Sequence, residues 1–320
     1  MIPRHGQIIG TLNVFRSSCC RIGGVLVLLG CSLFAGRLSG QTVYATDDGS
    51  DSVIQISAAG GTSTYATGVG VPEGLTFDSN GNLYVANVQN NSILLVSPGG
   101  AVSTFASSLS GVDGLAFSGG NLYVANNAGS IYQITPTGVV NTFASGFSEV
   151  ISLAFDSSGN LYATDGNNGS GILYKISPAG GVSSFATGLG FADGLAIDGA
   201  GNLYVSDVTG GQIYEINPGG SVTTFAAGLT HPRGLSFDTG SGLLFVTQGY
   251  SNLNGAALYE VNASGQVSYV TGYLTDANFT AIMPAMMSVP EPGTAVFLLF
   301  GLGLGALGWG LARPHRAKAG

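Results

Sequence analysis

From residue 42 to about residue 284 the apolar residues come in short runs of four to six, alternating with Ser, Thr, Asn or Asp and bounded by turns rich in Gly, Pro, Asn and Asp. Period-two alternation between such turns is the mark of half-buried β-strands. The runs also recur as a set. The clearest reads TVYATD at 42–47, NLYVAN at 82–87, NLYVAN at 121–126, NLYATD at 160–165, NLYVSD at 202–207 and LLFVTQ at 243–248. Its aromatic residues, Tyr44, Tyr84, Tyr123, Tyr162, Tyr204 and Phe245, recur at a nearly constant spacing. A period of this kind, about 40 residues, has to be understood before any single motif is.

Each copy has three companions. A preceding piece reads GLTFD from 74, GLAFS from 114, SLAFD from 152, GLAID from 194 and GLSFD from 234. Turns such as DSNGN, DSSGN and DGAGN join it to the Tyr strand, with Asp bonding its own backbone and Gly taking the left-handed position. A third strand (VIQIS, ILLVS, IYQIT, LYKIS, IYEIN, LYEVN) and a fourth (VSTFAS, VNTFAS, VSSFAT, VTTFAA) follow. Four short strands in each period make one blade of a β-propeller. The pattern therefore predicts an all-β, six-bladed β-propeller of four-stranded blades over residues 41–285. The first copy lacks its innermost strand. Phe279-Thr280-Ala281-Ile282 is expected to supply it, so that N- and C-terminal strands share a blade and no open edge is left. A linear β-solenoid, the alternative, has no use for the missing strand.

The two ends follow a different pattern. Residues 1–21 are polar with Arg4, Arg16 and Arg21, and 22–36 (IGGVLVLLGCSLFAG) are apolar, the layout of an export signal, so 1–40 reads as a signal peptide cleaved near Gly40/Gln41. A short core helix, or lipoprotein processing at Cys31, are the alternatives. At the other end Val289-Pro290-Glu291-Pro292 precedes a charge-free run, Gly293–Ala312, and then Arg313, Arg316 and Lys318. Such a run, at about 1.5 Å per residue, matches a hydrocarbon core of about 30 Å, and the basic tail holds its end in the cytoplasm. Residues 286–320 resemble the PEP-CTERM sorting signals of bacteria. That resemblance implies a transmembrane helix at 293–312, recognition by an exosortase-type protease and a place at the cell envelope or outer surface. A plain membrane anchor is the alternative.

Composition narrows the functional classes. All three cysteines, Cys19, Cys20 and Cys31, fall in the leader, which leaves the propeller without disulfides, thiolate metal sites or a cysteine nucleophile. Between 41 and 288 stand sixteen acidic residues against Lys175 and Arg233, a formal charge of −14. So acidic a domain repels phosphate backbones, which argues against nucleic acid as a partner.

The pattern P-x-G-L-x-F-D-x-x-G-N-L-Y-V-A-N/D over residues 42–284 resembles NHL repeats and the wider group of SMP-30/gluconolactonase-like proteins and streptogramin lyases. In such propellers the residue before each inner-strand Gly points at the mouth of a central channel. Here these residues are Glu73, Asp113, Ile151, Asp193 and Arg233, with Asn278 as the sixth. The resemblance to SMP-30-like lactonases implies that Glu73, Asp113 and Asp193 hold Ca²⁺ through oxygen. Ile151 cannot ligate and Arg233 brings a positive charge, so a salt-bridged plug is the competing reading. Asp47, Asn87, Asn126, Asp165, Asp207 and Gln248 end the second strand of every blade, and a role repeated six times reads as turn capping. His231 in THPRG is the candidate catalytic residue, a general base of the kind streptogramin lyases use, or else a surface histidine beside a turn proline. Two functions follow. The first is a non-catalytic binding module for extracellular polysaccharide, matrix or cell-surface protein. The second is a Ca-dependent lactonase or a streptogramin-lyase-like enzyme.

Overall fold

In the computed structural model, which describes residues 41–166, 171–249 and 256–283, the strands pair into six separate four-stranded antiparallel sheets. Blades 2 to 6 are continuous in sequence, with inner strands Pro72–Phe77, Val112–Ser118, Val150–Phe155, Ala192–Ile197 and Pro232–Asp238. Blade 1 takes its second strand from Val43–Asp47 and its inner strand from Ala277–Ile282, with Val43 opposite Ile282 and Tyr44 opposite Ala281. Each inner strand touches the next, and the last touches the first, so the sheets close into a ring. The expected fold, its blade count and its terminal pairing are as the sequence pattern demands. The leader and the Pro-Glu-Pro segment with its apolar run lie outside the described residues. Among those described, no helix is long and apolar enough to cross a membrane.

The apolar side chains are buried between blades rather than within one. Ile93 and Ala106 of blade 2 pack with Val112, Leu122 and Val124 of blade 3, and equivalent clusters join the other neighbours. The recurrent tyrosine bridges them. Tyr84 packs edge-on against Phe105 of its own blade and stacks on Phe117 of the next, and Tyr204 does the same with Phe225 and Phe237. Aromatic pairs of this geometry add about 0.5–1.5 kcal/mol beyond the area they bury. On the face away from the channel mouth, Asp78, Asp156 and Asp198 each accept bonds from two backbone amides and from the side chain of Asn82, Asn160 or Asn202. This is why the D-x-x-G-N spelling recurs.

Where the ring is tightest, side chains do not fit. A Cβ on Gly74, Gly114, Gly194 or Gly234 would run into the backbone of the next inner strand, at Asp113, Ile151, Arg233 and Asn278 respectively. The glycine of the GLxF motif is therefore a packing requirement of these four strands, whereas Ser152 and Phe279 stand at the same register in blades 4 and 1. Inside the ring a cavity of about 230 Å³ is walled by all six inner strands, with Leu75, Leu115, Leu153, Leu195 and Leu235 at equivalent positions and Thr280 as the sixth.

Candidate functional site

Every inner strand carries a β-bulge at the same place. Pairing with the second strand skips between Pro72 and Leu75, Val112 and Leu115, Val150 and Leu153, Ala192 and Leu195, and Pro232 and Leu235, and in blade 1 between the partners of Ala45 and Asp47. A bulge frees residues from the ladder and re-aims their side chains. The residues so freed include Glu73, Asp113, Ile151, Asp193, Arg233 and Asn278, the six expected at the channel mouth. Their ionisable members form one electrostatic group. Burial pushes Glu73 up to about 7 against the pull of Arg233, with Asp193, Asp48 and Asp276 adding to the rise. Burial, then Glu73, Asp193 and Glu149, holds Asp113 well above the usual carboxylate range despite Arg233. Asp193 is raised by burial to about 6, with Arg233 opposing and Glu149 adding.

Arg233 is the cation of this collar. Its Nη1 lies 3.9 Å from Asp193 Oδ2 and donates to Asn278 Oδ1 at 3.4 Å. Asp193 is 3% exposed, and its other oxygen, Oδ1, is buried with no hydrogen-bond partner. Among the described residues no three His, Cys, Asp or Glu side chains gather as a metal-holding group. Glu73, Asp113 and Asp193 thus share a field, while Arg233 stands beside Asp193 and Ile151 offers no donor. Ile151 packs instead against Gly166 and joins the apolar cluster that holds Leu75 and Phe279.

Four buried hydroxyls support the collar, and sequence reasoning missed them. Thr164 Oγ1 accepts from Ser152 N–H at 3.0 Å and donates to the Asp193 carbonyl at 2.7 Å. Ser206 Oγ accepts from Gly194 N–H at 2.8 Å and donates to the Arg233 carbonyl at 2.7 Å. Thr247 donates to the Asn278 carbonyl at 2.7 Å, and Thr46 accepts from Phe279 N–H at 3.0 Å. In blades 4 and 5 the hydroxyl takes up an amide released by the bulge and binds the backbone of the next blade's collar residue. The signal was present in the second strands, where Thr or Ser precedes Asp47, Asp165, Asp207 and Gln248 but Ala86 and Ala125 precede the two asparagines.

Five of the strand-end residues, Asp47, Asn87, Asn126, Asp165 and Asp207, cap loops, and the three aspartates do so across the sheet rather than only locally. Asp47 accepts from Thr275 and Asp276 N–H, Asp165 from Ser148 and Glu149 N–H, and Asp207 from Phe191 and Gly210 N–H. Asn87 and Asn126 bond nearer amides, those of Asn90 and Ala128. Burial would raise Asp207, yet its bonds to Gly210, Phe191, Thr209 and Gln212 outweigh it and hold the carboxyl below its ordinary value. His231 is exposed with φ +50°, in the left-handed region just before Pro232.

Residues 288–313 match the PEP-CTERM protein-sorting motif. No curated protein sequence matches the chain. Among solved structures it is similar to a chain of a nidogen/laminin complex, with a TM-score of 0.69 at 18% identity over 77% of this chain and 99% of that one. A streptogramin B lyase gives 0.58 at 14% identity over 73% and 80%. A gluconolactonase from Xanthomonas campestris gives 0.58 at 17% identity over 77% and 85%. Likeness at such identities concerns the fold, which these proteins put to different uses. The chain is a six-bladed β-propeller bearing a PEP-CTERM sorting motif, which marks it for recognition by an exosortase-type system and for export to the cell envelope with anchoring through its C-terminus.

Proposed function

We propose that the exported propeller is a non-catalytic binding module of the cell envelope, with an extracellular polysaccharide or matrix component as its partner. One observation carries this reading: the cation of the channel mouth is engaged by its neighbours and the backbone around it is braced. Arg233 lies between Asp193 and Asn278, the bulge amides of Ser152 and Gly194 are taken up by Thr164 and Ser206, and the capping aspartates hold loop amides. A general base must itself lie within hydrogen-bond reach of the proton it moves. His231, on its exposed loop, is two residues from the cation of the collar. The test pairs two assays on the purified protein, retention on a glycan array and turnover of a panel of aldonolactones and cyclic depsipeptides. Glycan retention unaffected by Glu73→Gln, with no turnover above buffer, is the expected result. Turnover abolished by Glu73→Gln or His231→Ala would overturn it.

A second reading, Ca²⁺ held by Glu73, Asp113 and Asp193, is favoured by the unpartnered Asp193 Oδ1 and by the upward push of the neighbouring carboxylates on Glu73 and Asp113. Calcium takes six to eight oxygens. The collar has three carboxylates and the Asn278 amide, and Arg233 competes for two of these groups, so as they stand the residues do not fit the ion. Calorimetric titration with CaCl₂ decides: micromolar binding lost in Asp193→Ala supports the calcium reading, and absence of heat refutes it.

A further inference from the structure

The third strands carry a tyrosine at one register in four of the six blades. Tyr132, Tyr174, Tyr214 and Tyr259 lie opposite Val124, Ala163, Val205 and Val246 of their second strands. In blades 3 and 5 the ring reaches the strand-end residue. Asn126 Nδ2 donates to the Tyr132 hydroxyl at 2.7 Å, and the Tyr214 hydroxyl donates to Asp207 Oδ2 at 3.5 Å while accepting from Gln212 Nε2 at 2.7 Å. Blade 1 has Ile54 at this register, and blade 2, opposite Val85, has Leu94. Beside Leu94 a groove of about 390 Å³ opens on the side of the blade.

This groove is of ligand-pocket size, roughly 300–1,000 Å³, and its chemistry is uniform. Asn87, Asn90, Ser92 and Thr104 supply amides and hydroxyls, Leu94 and Val102 an apolar strip, and no charged side chain lines it. Asn87 and Ser92 are only 3% and 5% exposed, so their polar groups are fixed in place, and Asn87 Oδ1 is further oriented by the Asn90 amide at 3.3 Å. In a domain whose charge is so strongly negative, an uncharged groove that both donates and accepts favours a ligand that does the same. Charged ligands find no counter-ion there. Sugar hydroxyls pair with amides and hydroxyls in both directions, and the C–H face of a pyranose ring suits the Leu94 and Val102 strip.

We propose that the blade 2 groove, opened by Leu94 where four other blades carry tyrosine, binds a neutral sugar chain through Asn87, Asn90 and Ser92. This rests on the binding-module reading and locates its ligand away from the channel mouth. The test is saturation-transfer NMR and calorimetry on the full chain in detergent, with maltopentaose, cellopentaose and laminaripentaose as probes. Leu94→Tyr restores the ring those blades accommodate. Asn90→Ala, at an exposed residue, leaves the core untouched. The expected result is binding of at least one probe, weakened about 10-fold or more by Leu94→Tyr and about 5-fold by Asn90→Ala, the latter the worth of one hydrogen bond. Binding unchanged in both variants overturns the groove but keeps the module, most directly if Asp193→Asn abolishes it. Failure of all three probes to bind the unaltered chain overturns the groove, and glycan-array retention then reports separately on the module.

Discussion

Replacing Thr164 by valine keeps the shape of the side chain and removes one oxygen. That oxygen belongs to a fully buried residue, accepts from Ser152 N–H at 3.0 Å and donates to the Asp193 carbonyl at 2.7 Å. Valine leaves one buried donor and one buried acceptor without partners, each at about 1–3 kcal/mol. The added methyl returns about 0.8 kcal/mol of apolar burial. The net expectation is a loss of about 2–4 kcal/mol, which for a domain of this size lowers Tm by roughly 5–15 °C. Equilibrium guanidinium denaturation followed by tyrosine fluorescence measures the loss, and amide exchange at Ser152 localises it. Thr223→Val is the control, since that hydroxyl is on an exposed outer strand and makes only a 3.4 Å contact with the Glu215 carbonyl. If Thr164→Val stays within about 0.5 kcal/mol of the parent, the range of a surface change that breaks no special feature, and Ser152 exchange is unchanged, the hydroxyls do not tie neighbouring blades together.

Three further outcomes follow from the same geometry. Glu73 and Asp193 are raised to about 7 and about 6, and Asp113 is raised as well, so between pH 4 and 7 the folded chain holds protons that the unfolded chain has released. Stability is therefore fully present below the unfolded carboxylate values and declines as pH climbs through 6 and 7, by a few kcal/mol at about 1.4 kcal/mol per pH unit for each group. Asp207, held low, acts oppositely below about pH 4, so a thermal-melt series should peak near pH 4–5, and a peak above pH 7 would contradict the collar's electrostatics. Arg233→Gln removes the cation beside three carboxylates and should cost about 2–4 kcal/mol at pH 7.5 but much less at pH 5, where the carboxyls are protonated; an equal loss at both pH values would count against the pair. Ending the chain before Ala277 deletes the inner strand of blade 1 and exposes the edge of Val43–Asp47, so the shortened protein should aggregate or melt well below the parent by circular dichroism, whereas an unchanged melt would mean that ring closure contributes little.

How much of this molecule its sequence disclosed depends on the length scale of the cause. Blade count and closure were legible because both rest on repetition: six copies of one strand, five of another, and a sixth expected at 279–282, which the structure places in Ala277–Ile282. The common register of these six residues, Glu73, Asp113, Ile151, Asp193, Arg233 and Asn278, was legible too, because register carries from blade to blade, and Asn278 occupies the Arg233 position through the pairing of Asp47 with Ala277. What could not be read is what the repeat hides. Thr164, Ser206 and Thr247 look like ordinary strand residues, yet they bond the carbonyls of Asp193, Arg233 and Asn278, the three residues of the Arg233-centred contacts. A bulge is invisible in a string of letters, and so is the carbonyl of the adjacent blade, since both are fixed by ring closure rather than by neighbours in sequence. Alanine at 86 and 125 shows the converse. The second strands of blades 2 and 3 lack the hydroxyl, and the collar residues of the blades that follow them are Asp113 and Ile151, which lie outside the Arg233 pairing. The spelling Thr-Asp, Ser-Asp or Thr-Gln against Ala-Asn thus separates the collar residues braced by the preceding blade, Asp193, Arg233 and Asn278, from Asp113 and Ile151, whose preceding blades have only a methyl to offer.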